Sequence, residues 1–232
     1  MITEVFSKVR RITYAQGHIG GFEIGVSNTM VVTWIIMAIL VVSSIVIVRK
    51  MSAVSTSKAG GVVEILVETV NGLCKSSIGH LGKVYVPYIG TLLLFLGVAN
   101  IITVFNFFPF INLYPPTKDI NVTGGLAVMS IAVVIYSGFR YLGFKGWAKS
   151  LIKPTPVMAP FKIMEYGTKP LSLCLRLFGN ILASFIIMEL LYAVAPIVAA
   201  PFSAYFDLFD GLLQAFIFTY LTTIYIGEAV EE

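Results

Sequence analysis

Residues Val31 to Val48 read VVTWIIMAILVVSSIVIV, a run with no ionisable side chain, closed by Arg49 and Lys50. A helix rises 1.5 Å per residue, so about 20 apolar residues cross the roughly 30 Å of hydrocarbon in a bilayer. Four further apolar runs follow: Val84 to Phe108, Gly124 to Tyr141, Pro170 to Val198 and Leu208 to Ile226. A globule of 232 residues cannot hide that much apolar surface, and lipid must act as part of the solvent. Hydrophobic residues make up 57% of the chain and charged residues 12%, about half the charged share of soluble domains. The expected fold class is therefore all-α polytopic membrane protein, a single membrane domain over residues 1–232 with five transmembrane helices.

The first run, 31–48, starts too far from Met1 for a typical cleaved signal and no small-residue cleavage pattern follows it, so it is read as a retained span. Residues 60–78 differ from the spans. Val63, Leu66, Val67, Val70 and Leu73 recur at helical spacing while Glu64, Glu68, Asn71 and Lys75 share the other face, which predicts an interfacial amphipathic helix. Runs 84–108 and 124–141 form a transmembrane hairpin around a Tyr-Pro-Pro-Thr turn. The last two runs lie inside long tilted helices at 157–200 and 203–229, both longer than one perpendicular crossing requires.

Basic residues set the orientation. Arg49, Lys50, Lys58, Lys75 and Lys83 follow the first span and Arg140, Lys145, Lys149 and Lys153 follow the hairpin, whereas Ala199 to Gly211 has none. The positive-inside rule then puts the N-terminus outside and the acidic tail Glu228 to Glu232 in the cytoplasm, in a multi-pass protein of the inner (plasma) membrane. Lys8, Arg10 and Arg11 run against the rule, about twenty residues from the first span, where the bias is weak. The net charge of +4 is scattered between spans and forms no patch for nucleic acid. Cys74 and Cys174 stand in unrelated contexts, which argues against a disulfide framework or a metal site, and no cofactor is expected. His18 and His80 lie outside the spans and read as surface residues.

Polar groups at membrane depth must be paired or wetted. Arg176 sits in LSLCLRLFGN with no carboxylate three or four residues away. Its guanidinium cannot deprotonate, and placing it in hydrocarbon costs about 2.5–3.5 kcal/mol on the lenient scales, so its partner must come from elsewhere. Ser172 and Asn180 are four residues to either side and share its face. Glu189, thirteen residues on, lies about 20 Å further along the axis and about 140° round the helix from the arginine, a candidate for the far end of the same path. On the last helix Asp207, Asp210 and Gln214 make a second polar stripe; the two aspartates also suit a helix start, while Gln214 is enclosed by apolar residues.

With these residues in view, KPLSLCLRLFGNILA (Lys169 to Ala183) and LLQAFIFTYLTTIYIGEA (Leu212 to Ala229) resemble the two signature helices of subunit a of F-type ATP synthases, and PPTKDINVT (Pro115 to Thr123) resembles its outer turn. The resemblance implies a stationary membrane subunit that faces a rotating ring of c-subunits, touches the peripheral stalk b subunits, and works with the remaining ATP synthase subunits. Two offset half-channels would load and unload H⁺ or Na⁺ on the ring carboxylates, with Arg176 as the barrier between them. Asn180 and Gln214 would be its polar neighbours and Ser172 would lie toward the cytoplasmic outlet.

Two positions depart from the common bacterial pattern. Nine residues past the arginine, where relatives often carry glutamate or histidine, stands Phe185; Glu189, one turn on, is the expected substitute. Asp207 stands where a histidine or glutamate is common, and with Glu189 and Asp210 it would form the external inlet. No Gly-rich phosphate loop is present, so nucleotide chemistry is assigned to partner subunits and no catalytic residue to this chain. A self-contained transporter is the competing reading, but its usual inverted repeats and matched broken helices are not seen. A purely structural scaffold would leave Arg176 and Gln214 without a purpose.

Overall fold

The computed structural model describes residues 13–19, 22–50, 58–102, 115–152, 159–195, 199, 201–203 and 205–231. Five helices are long and apolar enough to cross a membrane, and the protein is an all-α, multi-pass membrane protein. A short antiparallel hairpin of β1 (Thr13–Ile19) and β2 (Phe22–Ser27) precedes them, paired from Thr13 with Ser27 to Ile19 with Phe22. The alternation of Phe22, Ile24 and Val26 with Glu23, Gly25 and Ser27 in β2 was not read from the sequence.

Helix α1 (Asn28–Lys50) is apolar on every side and little buried by the rest of the chain. Among its described side chains Thr29, Val32 and Ile36 are the buried ones, the latter two against Ala99, whereas Trp34, Ile35, Ile39, Val41 and Val42 are exposed. A helix apolar all round with little protein cover is suited to lipid.

Helices α2 (Lys58–Ile78) and α3 (Gly82–Ile101) are joined by a 3-10 turn at Gly79–Leu81. Gly79 has φ +68°, a left-handed conformation that favours glycine. The continuous apolar stretch Val63–Ile101 spans 39 residues, about twice one crossing, and the turn divides it. One face of α2 buries Val70, Cys74 and Ile78, at a helical spacing of four, against Tyr85 and Ile89 of α3, and against Ile131, Val134 and Ile226. Glu64, Glu68, Asn71 and Lys75 are exposed on the other side. The buried face is shifted toward the C-terminal end from the stripe read in the sequence, since Val67 is 47% exposed and Cys74 is fully buried.

Helix α4 (Ile120–Ile152) runs beyond the apolar core at 124–141 and breaks at Gly143 (φ 69°, ψ 165°). Asp119 starts it: Asn121 N–H donates to Asp119 Oδ1 at 3.0 Å, and Val122 and Thr123 N–H donate to the Asp119 carbonyl. Past the break, Trp147 lies 4.4 Å from the Phe139 ring centroid and donates through Nε1 to Tyr166 Oη at 3.2 Å, closing α4 onto helix α5 (Ala159–Val194). Pro170 inside α5 removes the donor that would bond the Tyr166 carbonyl.

Helix α6 (Gly211–Glu231) follows a π-helical turn at Tyr205–Asp210 and is packed on several sides by α2, α3 and α4. Leu92, Leu96, Ala127, Leu173, Leu177, Ala215 and Phe218 make the central core between α3, α4, α5 and α6. Thr219, Thr222 and Thr223 are buried yet satisfied, each donating to the carbonyl four residues before it at 2.8–2.9 Å. Such small, self-satisfied polar residues allow close helix contact without an orphan group. At the end of α6, Gly227 lies against the Ser77 carbonyl of α2 so closely that a Cβ there has no room. The sequence places the second run as far as Phe108 and the fourth helix from residue 157; residues 103–114, 153–158 and 196–198 lie outside the described residues.

Candidate functional site

Leu173 and Leu177 turn one face of α5 into the core, which sends the residues beside them outward. Ser172 and Arg176 are both exposed, on a surface shared with Leu171, Leu175, Ile186, Ile187 and Leu190. Arg176 makes no hydrogen bond or ion pair among the described residues. A permanent cation thus stands on an outward apolar face with no counter-charge among the described residues.

One turn further along α5 the surface becomes a polar joint to α6. Asn180 Nδ2 donates to Asp210 Oδ2 at 2.7 Å, and Ser184 Oγ donates to the same oxygen at 3.4 Å and to the Asn180 carbonyl at 2.9 Å. Asp210 is the last residue of the π-helical turn, a geometry that recurs at functional sites. The structure therefore brings together Asn180 and Asp210, from two helices that sequence spacing treats separately, and adds Ser184.

Gln214 is 4% exposed, and its Nε2 is buried without a hydrogen-bond partner among the described residues. It adjoins Ala215, which packs in the same core as Leu177, so it lies near the level of Arg176. An unpaired buried amide costs about 1–3 kcal/mol, so packing alone does not explain why one is kept here. Glu189 is half-buried near the far end of α5, one turn past Phe185. Lys118 Nζ lies 3.0 Å from the Phe185 ring centroid, which brings a positive charge to that level. The backbone of Asp207 belongs to the π-helical turn, and its side chain lies outside the described residues.

At the opposite end of α5, Lys169 Nζ lies 2.9 Å from Glu165 Oε1 and 2.7 Å from Glu228 Oε2 of α6. Tyr225 supplies a ring 4.8 Å from the same nitrogen. These groups with Lys162 and Tyr166 line a cleft of about 140 Å³ between α4, α5 and α6. Glu165, Lys169, Ser172 and Arg176 follow one another at intervals of three to four residues, so the cleft opens below the Arg176 stripe.

Residues 30–227 match the ATP synthase A chain family. The chain belongs to that family. As a member of the ATP synthase A chain family it is an ion-translocating membrane subunit of the CF(0) part of ATP synthase, and it works within that complex in ATP synthesis. The match covers both polar stripes and the helical region from Met30 to Gly227.

Sequence reasoning missed three features of this family member. The Lys169–Glu228 bridge joins residues 59 apart, although the Glu165–Lys169 half is a readable i, i+4 pair. Ser184 is also one turn past Asn180, but a lone serine in an apolar helix ordinarily bonds its own backbone. Asn100 and Thr117, both buried, form a polar bridge to Gly211. An amide inside the apolar run from Val84 to Phe108 was the available signal.

Proposed function

We propose that the chain is the stationary subunit a of an F-type ATP synthase, and that it forms two half-channels that load and unload H⁺ or Na⁺ on carboxylates of a rotating c-ring. One observation carries this reading: Arg176 is exposed on an apolar face and unpaired among the described residues, so its counter-charge belongs on another chain. A carboxylate on a passing ring subunit satisfies that need. The arginine favours the ionised carboxylate and so drives its ion off, while its fixed charge repels a cation attempting to pass directly between the half-channels. Rotation is then the conducting route.

The external inlet uses Glu189, Asp207 and Asp210, with Asn180 and Gln214 as the polar surroundings of the arginine. The cytoplasmic outlet passes Ser172 to the Lys169 cleft. This assignment takes the N-terminus as outside and the C-terminus as cytoplasmic, in the inner (plasma) membrane. Helix α2 is taken to lie along the cytoplasmic surface, supported by its exposed Glu64, Glu68, Asn71 and Lys75. Exposed apolar surface on α1 is available for the peripheral stalk b subunits as well as lipid.

The test is ATP synthesis by the complete reconstituted enzyme under an imposed proton gradient and then a sodium gradient, with Arg176→Ala alongside. Synthesis under one gradient and its loss in the variant is the expected result, and the working gradient names the ion. Retained synthesis with alanine at 176 would remove the barrier role.

A further inference from the structure

Asn100 is 3% exposed on α3, and both ends of its amide are used. Its Nδ2 donates to the Gly211 carbonyl at 2.7 Å, and Thr117 Oγ1 donates to its Oδ1 at 2.9 Å. Thr117 is itself fully buried, in the 3-10 turn Pro116–Lys118. The next residues of that connection carry the Asp119 cap of α4, which also accepts from Thr29 Oγ1 of α1 at 3.2 Å. One amide therefore links the connection before α4 to the first residue of α6.

The contact on the α6 side is close. A Cβ on Gly211 would lie 3.0 Å from Asn100 Cβ, a tight contact that would push Asn100 back by a few tenths of an ångström, so glycine there favours the approach that makes the hydrogen bond. Gly211 is also where the π-helical turn Tyr205–Asp210 gives way to α-helix. A change from π to α winding alters the rotation per residue, and the side chains just before and after the junction are aimed by where it falls. Asp210, immediately before it, is the residue held by Asn180 and Ser184.

We propose that Asn100 is a positioning residue for ion transfer: it pins the π-to-α junction at Gly211 and thereby holds Asp210 in reach of Asn180. The inference rests on the reading that Asn180 and Asp210 belong to the ion path. Asn100 touches no translocated ion; it acts through the backbone of its neighbour. Thr117 fixes which end of the amide faces Gly211, since a hydroxyl donating to Oδ1 leaves Nδ2 for the carbonyl.

A double-mutant cycle in the complete, reconstituted ATP synthase tests it, with Asn100→Leu, Asp210→Leu and the pair. Asn100→Leu is expected to lower synthesis about tenfold, the size of one buried hydrogen bond left unmade, and to raise the half-saturating ion concentration while subunit assembly is unchanged. In the Asp210→Leu background, where the bond to Asn180 is already gone, the same change is expected to cost less than about twofold, because the two act on one geometry. A full tenfold loss on top of Asp210→Leu, or no loss in the parent, overturns the inference. Asn100→Asp keeps the shape without the donor and repeats the cycle if the leucine variant does not assemble; failure of both to assemble would make Asn100 a folding residue and would also overturn it. Arg176→Ala measured in parallel separates the two readings: activity there undermines the ion path itself, whereas a dead Arg176→Ala beside an additive cycle removes the role of Asn100 alone.

Discussion

Two cations on one helix meet opposite fates. Lys169 is held by Glu165 and Glu228 with its side chain 15% exposed. Arg176, two turns on, is exposed and has no counter-charge among the described residues. Lysine is a compact, strongly hydrated point charge, whereas arginine spreads its charge over a planar fork suited to a carboxylate. The lysine closes an internal joint between α5 and α6. The arginine is left open, and an open charge on an apolar face has a use when another molecule completes it.

Arg176→Lys is the largest expected break of this contrast. A lysine at 176 keeps the charge but loses the fork and gains the ability to shed its proton in an apolar setting. Coupled ATP synthesis should fall by about a hundredfold or more, equivalent to roughly 3 kcal/mol of lost discrimination. Proton-uptake or sodium-uptake assays on vesicles should show the ion gradient dissipating without synthesis. Near-normal synthesis would mean that any positive charge suffices and that the open fork has no special role.

Gln214→Leu sharpens the same point from the side of α6. Since Nε2 is buried and unpaired, replacing the amide by a side chain of similar size should leave stability unchanged or raise it by about 1 kcal/mol, while synthesis drops about tenfold. Thermal denaturation of the assembled complex and the synthesis rate are read together. A fall in stability would show that the amide is satisfied in the folded complex and is a packing residue. Asp210→Asn comes next in size. It removes the charge but keeps an acceptor for Asn180, so a loss of about threefold in synthesis is expected, against about tenfold for Asp210→Leu, which also breaks the 2.7 Å bond. Equal losses in the two variants would assign the whole effect to the charge.

What was legible in the sequence follows from the range over which each signal acts. Apolar runs announced five spans because hydropathy is local and lipid imposes it on each helix independently. Arg176, Asn180, Gln214 and Asp210 stood out because each is polar in apolar surroundings. The partners were not legible. The Asn100–Gly211 bond spans 111 residues and the Lys169–Glu228 bridge 59, and nothing in the local spacing says which helix end meets which. Phe185 illustrates the reverse: it was noted as a position unable to relay an ion, yet it receives Lys118 from the turn before α4. Helix α2 has one buried apolar face, but its buried residues Cys74 and Ile78 depend on the ends of α3 and α6, where Gly82 and Gly227 leave room for its backbone.

The smallest effect belongs to the closed cation. Lys169→Met would leave Glu165 and Glu228 facing one another across the cleft, both half-exposed and so well screened by solvent. A loss of about 1 kcal/mol in stability and less than threefold in synthesis is expected, because solvent and the neighbouring Lys162 dilute the repulsion. Reversing the pair as Lys169→Glu with Glu228→Lys should recover part of the loss if the bridge serves only to hold α5 against α6. If instead the cleft conducts ions, the reversed pair should restore stability but not rate, since the charge that faces the Arg176 stripe has changed sign. Urea denaturation and synthesis rate measured on the same preparations distinguish the two, and a rate loss as large as that of Arg176→Lys would erase the distinction between closed and open charge on this helix.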